Sequence, residues 1–275
     1  MTPPLTASFV TLSGAGFAEP ARIPFAERCR AAAAAGFTGI GLHADDYRQM
    51  RGDDAAIRAD LDRQGLRLSE IEFLVGWAAA PDDAAARDTA APVHQLSAGF
   101  APHHLTAGEF AGARLDIETA GARLRAVCDL LAPTGVRVAV EAFPWSGLRD
   151  IATARAVVEA SKATNTGLMI DVWHFYNSRS TLADLDGLPP EQIVAVQLND
   201  GRLVDTDFRT EARRGRLLPG DGELDISGLL RGLHARGFRG PYCVEVNYPG
   251  FRNLPADEMA RSAYAKAAAA LAVLP

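Results

Sequence analysis

The chain has 275 residues, 48% of them hydrophobic and 23% charged, with 28 Lys+Arg against 34 Asp+Glu and a net charge of −6. An acidic balance with both signs interspersed argues against nucleic acid as a partner, because that calls for a basic face. The length suits one (β/α)₈ barrel of about 250 residues, and the mean hydropathy of −0.01 is that of a soluble globular chain.

Strand and helix signals alternate from end to end, which predicts parallel βα units in a single domain spanning residues 1–275. A first strand is expected within residues 7–12 and a first helix over 25–35, stopped by Gly36. The second pair is 39–43 and 55–64, stopped by Gly65, since glycine accepts the left-handed geometry past a helix end. Residues 68–74 read as a third strand, 84–98 as a weaker helix interrupted by Pro92, and 104–107 as a short fourth strand. A long helix over 117–131 leads to the strand containing Glu141, and 153–163 leads to the strand containing Asp171. A poorly marked connection, 182–192, precedes the strand of Gln197. Residues 225–236 precede the strand of Glu245, and a helix over 256–272 closes the pattern. One long connection, 199–224, stands out, and loops of that length in a compact domain are usually functional.

Four strand ends carry the chemistry. Glu141, Asp171, Gln197 and Glu245 end the apolar runs RVAVEA, GLMIDV, IVAVQL and YCVEVN. Such runs belong to strands covered on both faces. Polar groups at their ends are costly without a partner, and a divalent metal ion is one partner that all four can share. Side chains alternate along a strand. Ala139, Met169, Ala195 and Cys243 therefore fall on the same face as the four polar residues, lining a crowded centre. Val138, Val140, Leu168, Ile170, Val194, Val196, Val244 and Val246 fall on the other face, toward covering helices. In a closed barrel the active site lies at the C-terminal ends of the strands, where all four polar residues fall.

Around them lie His174, in D-V-W-H after Asp171, and Asp200 and Arg202, in Q-L-N-D-G-R after Gln197. L-P-G-D-G-E-L-D forms a glycine-rich turn with Asp225 as the expected N-cap of the next helix. His43 and Glu72, at the ends of the second and third strands, are candidate pocket residues. Phe143, Trp145 and Trp173 are candidate walls, while His94, His103 and His104 have no spacing logic and read as structural.

These marks together resemble the xylose isomerase-like superfamily of sugar phosphate isomerases and epimerases. They are Glu141, Asp171 with His174, Gln197 with Arg202, Pro219-Gly220-Asp221-Gly222 and Glu245, and the resemblance runs over essentially the whole chain. It implies one divalent ion, Mn²⁺, Mg²⁺ or Co²⁺, held by Glu141, Asp171, Gln197 and Glu245. It also implies a keto-sugar or other polyhydroxylated ketone as substrate, with an enediolate formed by proton loss next to the carbonyl. In that reading Glu141 and Glu245 are both ligands and acid/base groups, with His174 and Arg202 contacting substrate; His43 and Glu72 join them as substrate contacts from their strand-end positions alone. Many epimerases of the group carry His where this chain has Gln197. The carboxamide makes the set all-oxygen, which suits the hard cations Mg²⁺ and Mn²⁺. It also looks like the bacterial 3-dehydroshikimate dehydratases, so a lyase of the dehydroshikimate or inosose dehydratase type is the alternative, with His174 as base. A non-catalytic binding barrel is a remote third reading. The related endonuclease IV barrel needs a His-rich zinc cluster and a basic groove that this acidic chain does not offer.

Other expectations follow from what the chain contains. There is no cationic start before an apolar core and no apolar run of the roughly 18 residues that span a bilayer, so a cytoplasmic protein is expected. Cys29, Cys128 and Cys243 lack CxxC spacing and read as small buried hydrophobes. Lysine occurs only at 162 and 266, within helical patterns, which disfavours Schiff-base chemistry. The P-G-D-G turn lacks the spacing and strand–helix context of a dinucleotide fingerprint, so a non-phosphorylated substrate is expected. Dimers or tetramers are frequent in the superfamily, so the resemblance is compatible with a homo-dimer or tetramer.

Overall fold

The computed structural model of the chain describes residues 3–17, 19–50 and 53–275. Eight parallel strands close into a barrel in chain order. They are β1 (Leu5–Ala7), β2 (Gly39–His43), β3 (Arg67–Leu74), β4 (His104–Ala107), β5 (Arg137–Glu141), β6 (Thr166–Asp171), β7 (Ile193–Leu198) and β8 (Tyr242–Val244). Closure is completed by β1 on β8, with Thr6 opposite Cys243. Helices cover the outside, and their ends follow the expected chemistry. Asp53, Asp82, Asp116, Asp150 and Asp225 cap five of them by accepting a backbone N–H three residues on. Gly65 ends the helix that Asp53 caps, and Gly36 ends the helix Phe25–Ala35, both in the left-handed conformation. Among the described residues no helix is long and apolar enough to cross a membrane.

The two faces of each strand separate two cores. Val138, Val140, Leu168, Ile170, Val196, Val244 and Val246 belong to the large outer core against the helices. Ala139, Met169, Val194 and Ala195 form a separate small cluster. Val194 departs from the expected alternation. The register of β6 on β7 slips there, from Leu168 opposite Ile193 to Met169 opposite Ala195, and a one-residue slip reverses which face a side chain meets. All three cysteines are buried and unpaired.

The first strand differs from expectation: it is Leu5–Ala7, and residues 9–12 form a helical turn instead. Thr11 holds that turn to the barrel: its hydroxyl donates to the Val244 carbonyl at 2.7 Å and accepts from Val246 N at 3.1 Å. The connection before β7 contains only two 3₁₀ turns, Leu182–Leu185 and Pro190–Gln192. The 199–224 connection, by contrast, carries a short helix, Phe208–Arg214.

Candidate active site

The C-terminal mouth opens on a cavity of about 540 Å³, lined among others by His43, Glu72, Glu141, His174, Arg216 and Glu245. Its upper wall is aromatic. Phe73 stacks on Phe110 with ring centroids 5.5 Å apart, and Phe143 stacks on Trp145 at 5.1 Å. Glu141, Asp171 and Glu245 are 2%, 2% and 6% exposed, and Gln197 is fully buried. Three carboxylates lying so deep need compensating positive charge or protons.

Part of that charge comes from a residue the sequence pattern passed over. Arg216 is 2% exposed, and its Nη1 donates to Asp171 Oδ2 at 2.9 Å and also to Glu245 Oε2. Its Nη2 lies 2.6 Å from His174 Nε2. A guanidinium only donates, so His174 Nε2 accepts there and the ring is neutral with its proton on Nδ1. Burial, reinforced by Arg216, holds the His174 pKa well below its ordinary value. Burial disfavours the charge on Arg216 as well, but Asp171, Glu245 and Glu141 more than offset it and hold its pKa above normal. The 199–224 connection positions this arginine. Asp200 pairs with Leu217 as an isolated antiparallel bridge, turning the chain back over the barrel. The Asp200 carboxylate then accepts from Gly201, Gly220 and Leu224 N–H groups at 2.8, 2.9 and 3.1 Å. Gly222 permits this clasp, because a Cβ there would lie 2.3 Å from Asp200 Oδ1.

Asp171 is held from three sides. Besides Arg216, it caps the short helix Val172–Asn177 through His174 N at 2.8 Å, and it accepts from Asn199 Nδ2 at 2.6 Å. Asn199 is a second residue not anticipated; its Oδ1 accepts from Trp173 N. His174 Nε2 stands 3.6 Å from Glu141 Oε1, with the edges or faces of Phe143, Trp145 and Trp173 around its ring. Suitable ligand atoms of Glu141, Asp171 and His174 all lie within 4.8 Å of one another.

Glu141 titrates well above the ordinary range, through burial first and then the nearby charges of Glu245 and Asp171. Glu245 rises to about 7. Burial drives it, and the Arg216 contact opposes the rise without cancelling it. Glu72 rises too, from burial and the charges of Glu70, Glu245 and Glu141. His43 is lowered to about 4 by burial. Its Nδ1 accepts from Asp45 N at 3.1 Å, so its Nε2 carries the proton of the neutral ring and is a donor at the cavity wall.

Gln197 is the most buried of the four. Opposite Asp171 in register, its Nε2 donates to Glu70 Oε1 at 3.2 Å, while its Oε1 has no hydrogen-bond partner among the described residues. Arg202 departs from expectation. Its side chain is exposed and does not line the cavity, and the arginine that meets the carboxylates is Arg216. Asp200 serves the loop clasp. His104 is buried, as a structural reading implies, and its Nε2 lies 3.2 Å from Glu70 Oε1.

Residues 29–271 match the family described as the xylose isomerase-like TIM barrel. The chain belongs to this family. Among curated relatives, a 3-dehydroshikimate dehydratase of Pseudomonas aeruginosa is 33% identical over 135 residues, 48% of this chain and 21% of the relative. An inosose isomerase of Halalkalibacterium halodurans is 28% identical over 142 residues, 51% of this chain and 50% of the relative. The chain thus spans at most about half the length of these curated relatives. A crystal structure of the IolI protein with a bound zinc atom superposes with a TM-score of 0.83 at 17% identity, covering 99% of this chain and 98% of that one. A xylose isomerase-like TIM barrel/4-hydroxyphenylpyruvate dioxygenase fusion protein also gives 0.83, at 22% identity, covering 96% and 42%. At such identities these two likenesses show the shared barrel alone.

Proposed function

We propose that this family member is a divalent-metal-dependent enzyme that removes a proton next to the carbonyl of a polyhydroxylated ketone, in the manner of an isomerase or epimerase. The observation that carries the reading is the convergence of Glu141, Asp171 and Glu245 at one barrel mouth, with the buried Gln197 Oε1 left without a partner among the described residues. An orphaned acceptor in such a place costs on the order of 1–3 kcal/mol, and a cation removes that cost. Glu141, Asp171, Gln197 and Glu245 would hold the ion. Three carboxylates and a carboxamide oxygen form a hard donor set that fits Mn²⁺ or Mg²⁺. When bound, the ion supplies positive charge beside the substrate's carbonyl and hydroxyl oxygens and lowers the cost of losing the adjacent proton.

The chain's own groups do the rest. Glu141 and Glu245 face the cavity, where each carboxylate is placed to take a proton from a substrate carbon and return it. His43 Nε2–H offers a donor to a substrate oxygen, and Arg216 Nη2, beside His174, offers a second. The stacked Phe73–Phe110 and Phe143–Trp145 pairs shield the reacting carbon from water.

A second reading, dehydration of a cyclic hydroxyketone, is favoured by those same aromatic walls, which fit a ring flattened by elimination. It is also favoured by the likeness to 3-dehydroshikimate dehydratase. Both readings share the proton abstraction and divide afterwards.

The test pairs metal analysis of the purified protein with its Glu245→Gln variant, then NMR of keto-sugars, inososes and 3-dehydroshikimate in D₂O. About one Mn or Mg per chain, lost in the variant, with deuterium entering beside the carbonyl, is the expected result. Loss of water instead of simple exchange selects the dehydratase. Failure of both forms to take up metal after reconstitution sinks the proposal.

A further inference from the structure

Below the carboxylates lies a fully buried polar layer of which the proposed reaction uses Gln197 alone. Glu70 on β3, His104 and Thr106 on β4, and Gln197 on β7 are each 0% exposed, in an interior that barrels of this kind usually fill with branched apolar side chains. Three donors converge on one oxygen of Glu70. His104 Nε2 and Gln197 Nε2 each lie 3.2 Å from Oε1, and the Thr106 hydroxyl lies at 3.5 Å. Gln197 reaches Glu70 across the barrel, since β3 and β7 are four strands apart around the ring. Gly41 leaves the room Glu70 needs, because a Cβ there would lie 3.1 Å from Glu70 Oε2.

The two ends of a carboxamide have nearly the same shape, so packing does not choose between them. The Glu70 carboxylate does choose, because it accepts from the NH₂ and would repel the carbonyl oxygen. Gln197 Oε1 is therefore turned away from Glu70 and has no partner among the described residues. We propose that Glu70, with His104 donating to the same oxygen, is a positioning residue that fixes the Gln197 carboxamide with its oxygen presented as a metal ligand. The inference rests on the metal reading above. It assigns a task to a buried carboxylate that touches neither the cavity nor substrate. Groups that orient a ligand in this way typically change metal affinity by about 10–100-fold when removed.

The test is Mn²⁺ affinity by EPR titration of the full chain, with folding checked by circular dichroism. Glu70→Leu removes the anchor and should weaken Mn²⁺ binding by about 10–100-fold. The near-isosteric Glu70→Gln, which can still accept through one oxygen, should lose less and serves if the leucine variant does not fold. Gln197→Leu should weaken binding at least as much as Glu70→Leu. The Glu70→Leu/Gln197→Leu double variant should bind no more weakly than Gln197→Leu alone, because the anchor has nothing left to orient. Unchanged affinity in both Glu70 variants overturns the inference, as does full additivity in the double variant. Absence of Mn²⁺ binding by the unaltered protein overturns the metal reading itself, and the two failures are thereby told apart.

Discussion

Arg216 is the residue on which the site's electrostatics turn. One guanidinium nitrogen bridges Asp171 and Glu245, and the other meets His174. Removing one member of a buried ion pair typically costs about 3–5 kcal/mol, since it strands the opposite charges. Arg216→Met is therefore expected to destabilise the metal-free protein by about that much in urea unfolding, with part of the loss recovered when Mn²⁺ is added. An unchanged midpoint would show that the carboxylates are compensated elsewhere. The residue was not legible from the sequence. It follows the short helix Phe208–Arg214 inside the long connection, and only the Asp200–Leu217 bridge returns it to the barrel. Proximity along the chain pointed to Arg202, five positions after Gln197, whose side chain faces solvent. Glu141, Asp171 and Glu245 were legible for the opposite reason. Each ends an apolar run, and a strand-end carboxylate in a two-sided sheet has few other uses.

At the scale of elements, β2 shows how a strand's composition serves its neighbour. Gly41 faces Glu70, and a Cβ at that position would also come within 2.8 Å of Phe9 N. Gly41→Ala is therefore expected to cost about 1–3 kcal/mol by overpacking, read as a lower urea midpoint. A variant as stable as the parent would mean that the turn at Phe9–Leu12 gives way freely. That turn is also where strand prediction failed. All four of its residues are buried, so no periodicity distinguishes a helical turn from the end of a strand. The longer elements were readable because their caps are local: Asp116 and Asp150 bond within their own first turn. The slip at Val194 was not readable, because register is a property of two strands and neither sequence records it alone.

For the whole molecule, the proposed ion ties together residues from β5, β6, β7 and the segment after β8, so binding it should stabilise the closed barrel as a unit. At a free Mn²⁺ concentration 100 times its dissociation constant the gain is about 2.7 kcal/mol, or roughly 5–10 °C in melting temperature for a chain of this size. Glu245→Gln should abolish most of that shift, and an equal shift in both proteins would place the ion elsewhere. The sequence by itself determined the alternation of strands and helices, the family marks and the ring of acidic strand ends. Each of these is written in local periodicity, local capping or residue type. Only the tertiary structure decided which arginine neutralises the carboxylates, that Asn199 steadies Asp171, and that Glu70 reaches across the barrel to Gln197. Those contacts join residues 45, 28 and 127 positions apart. They exist only once the closed sheet turns separate strand ends toward one axis.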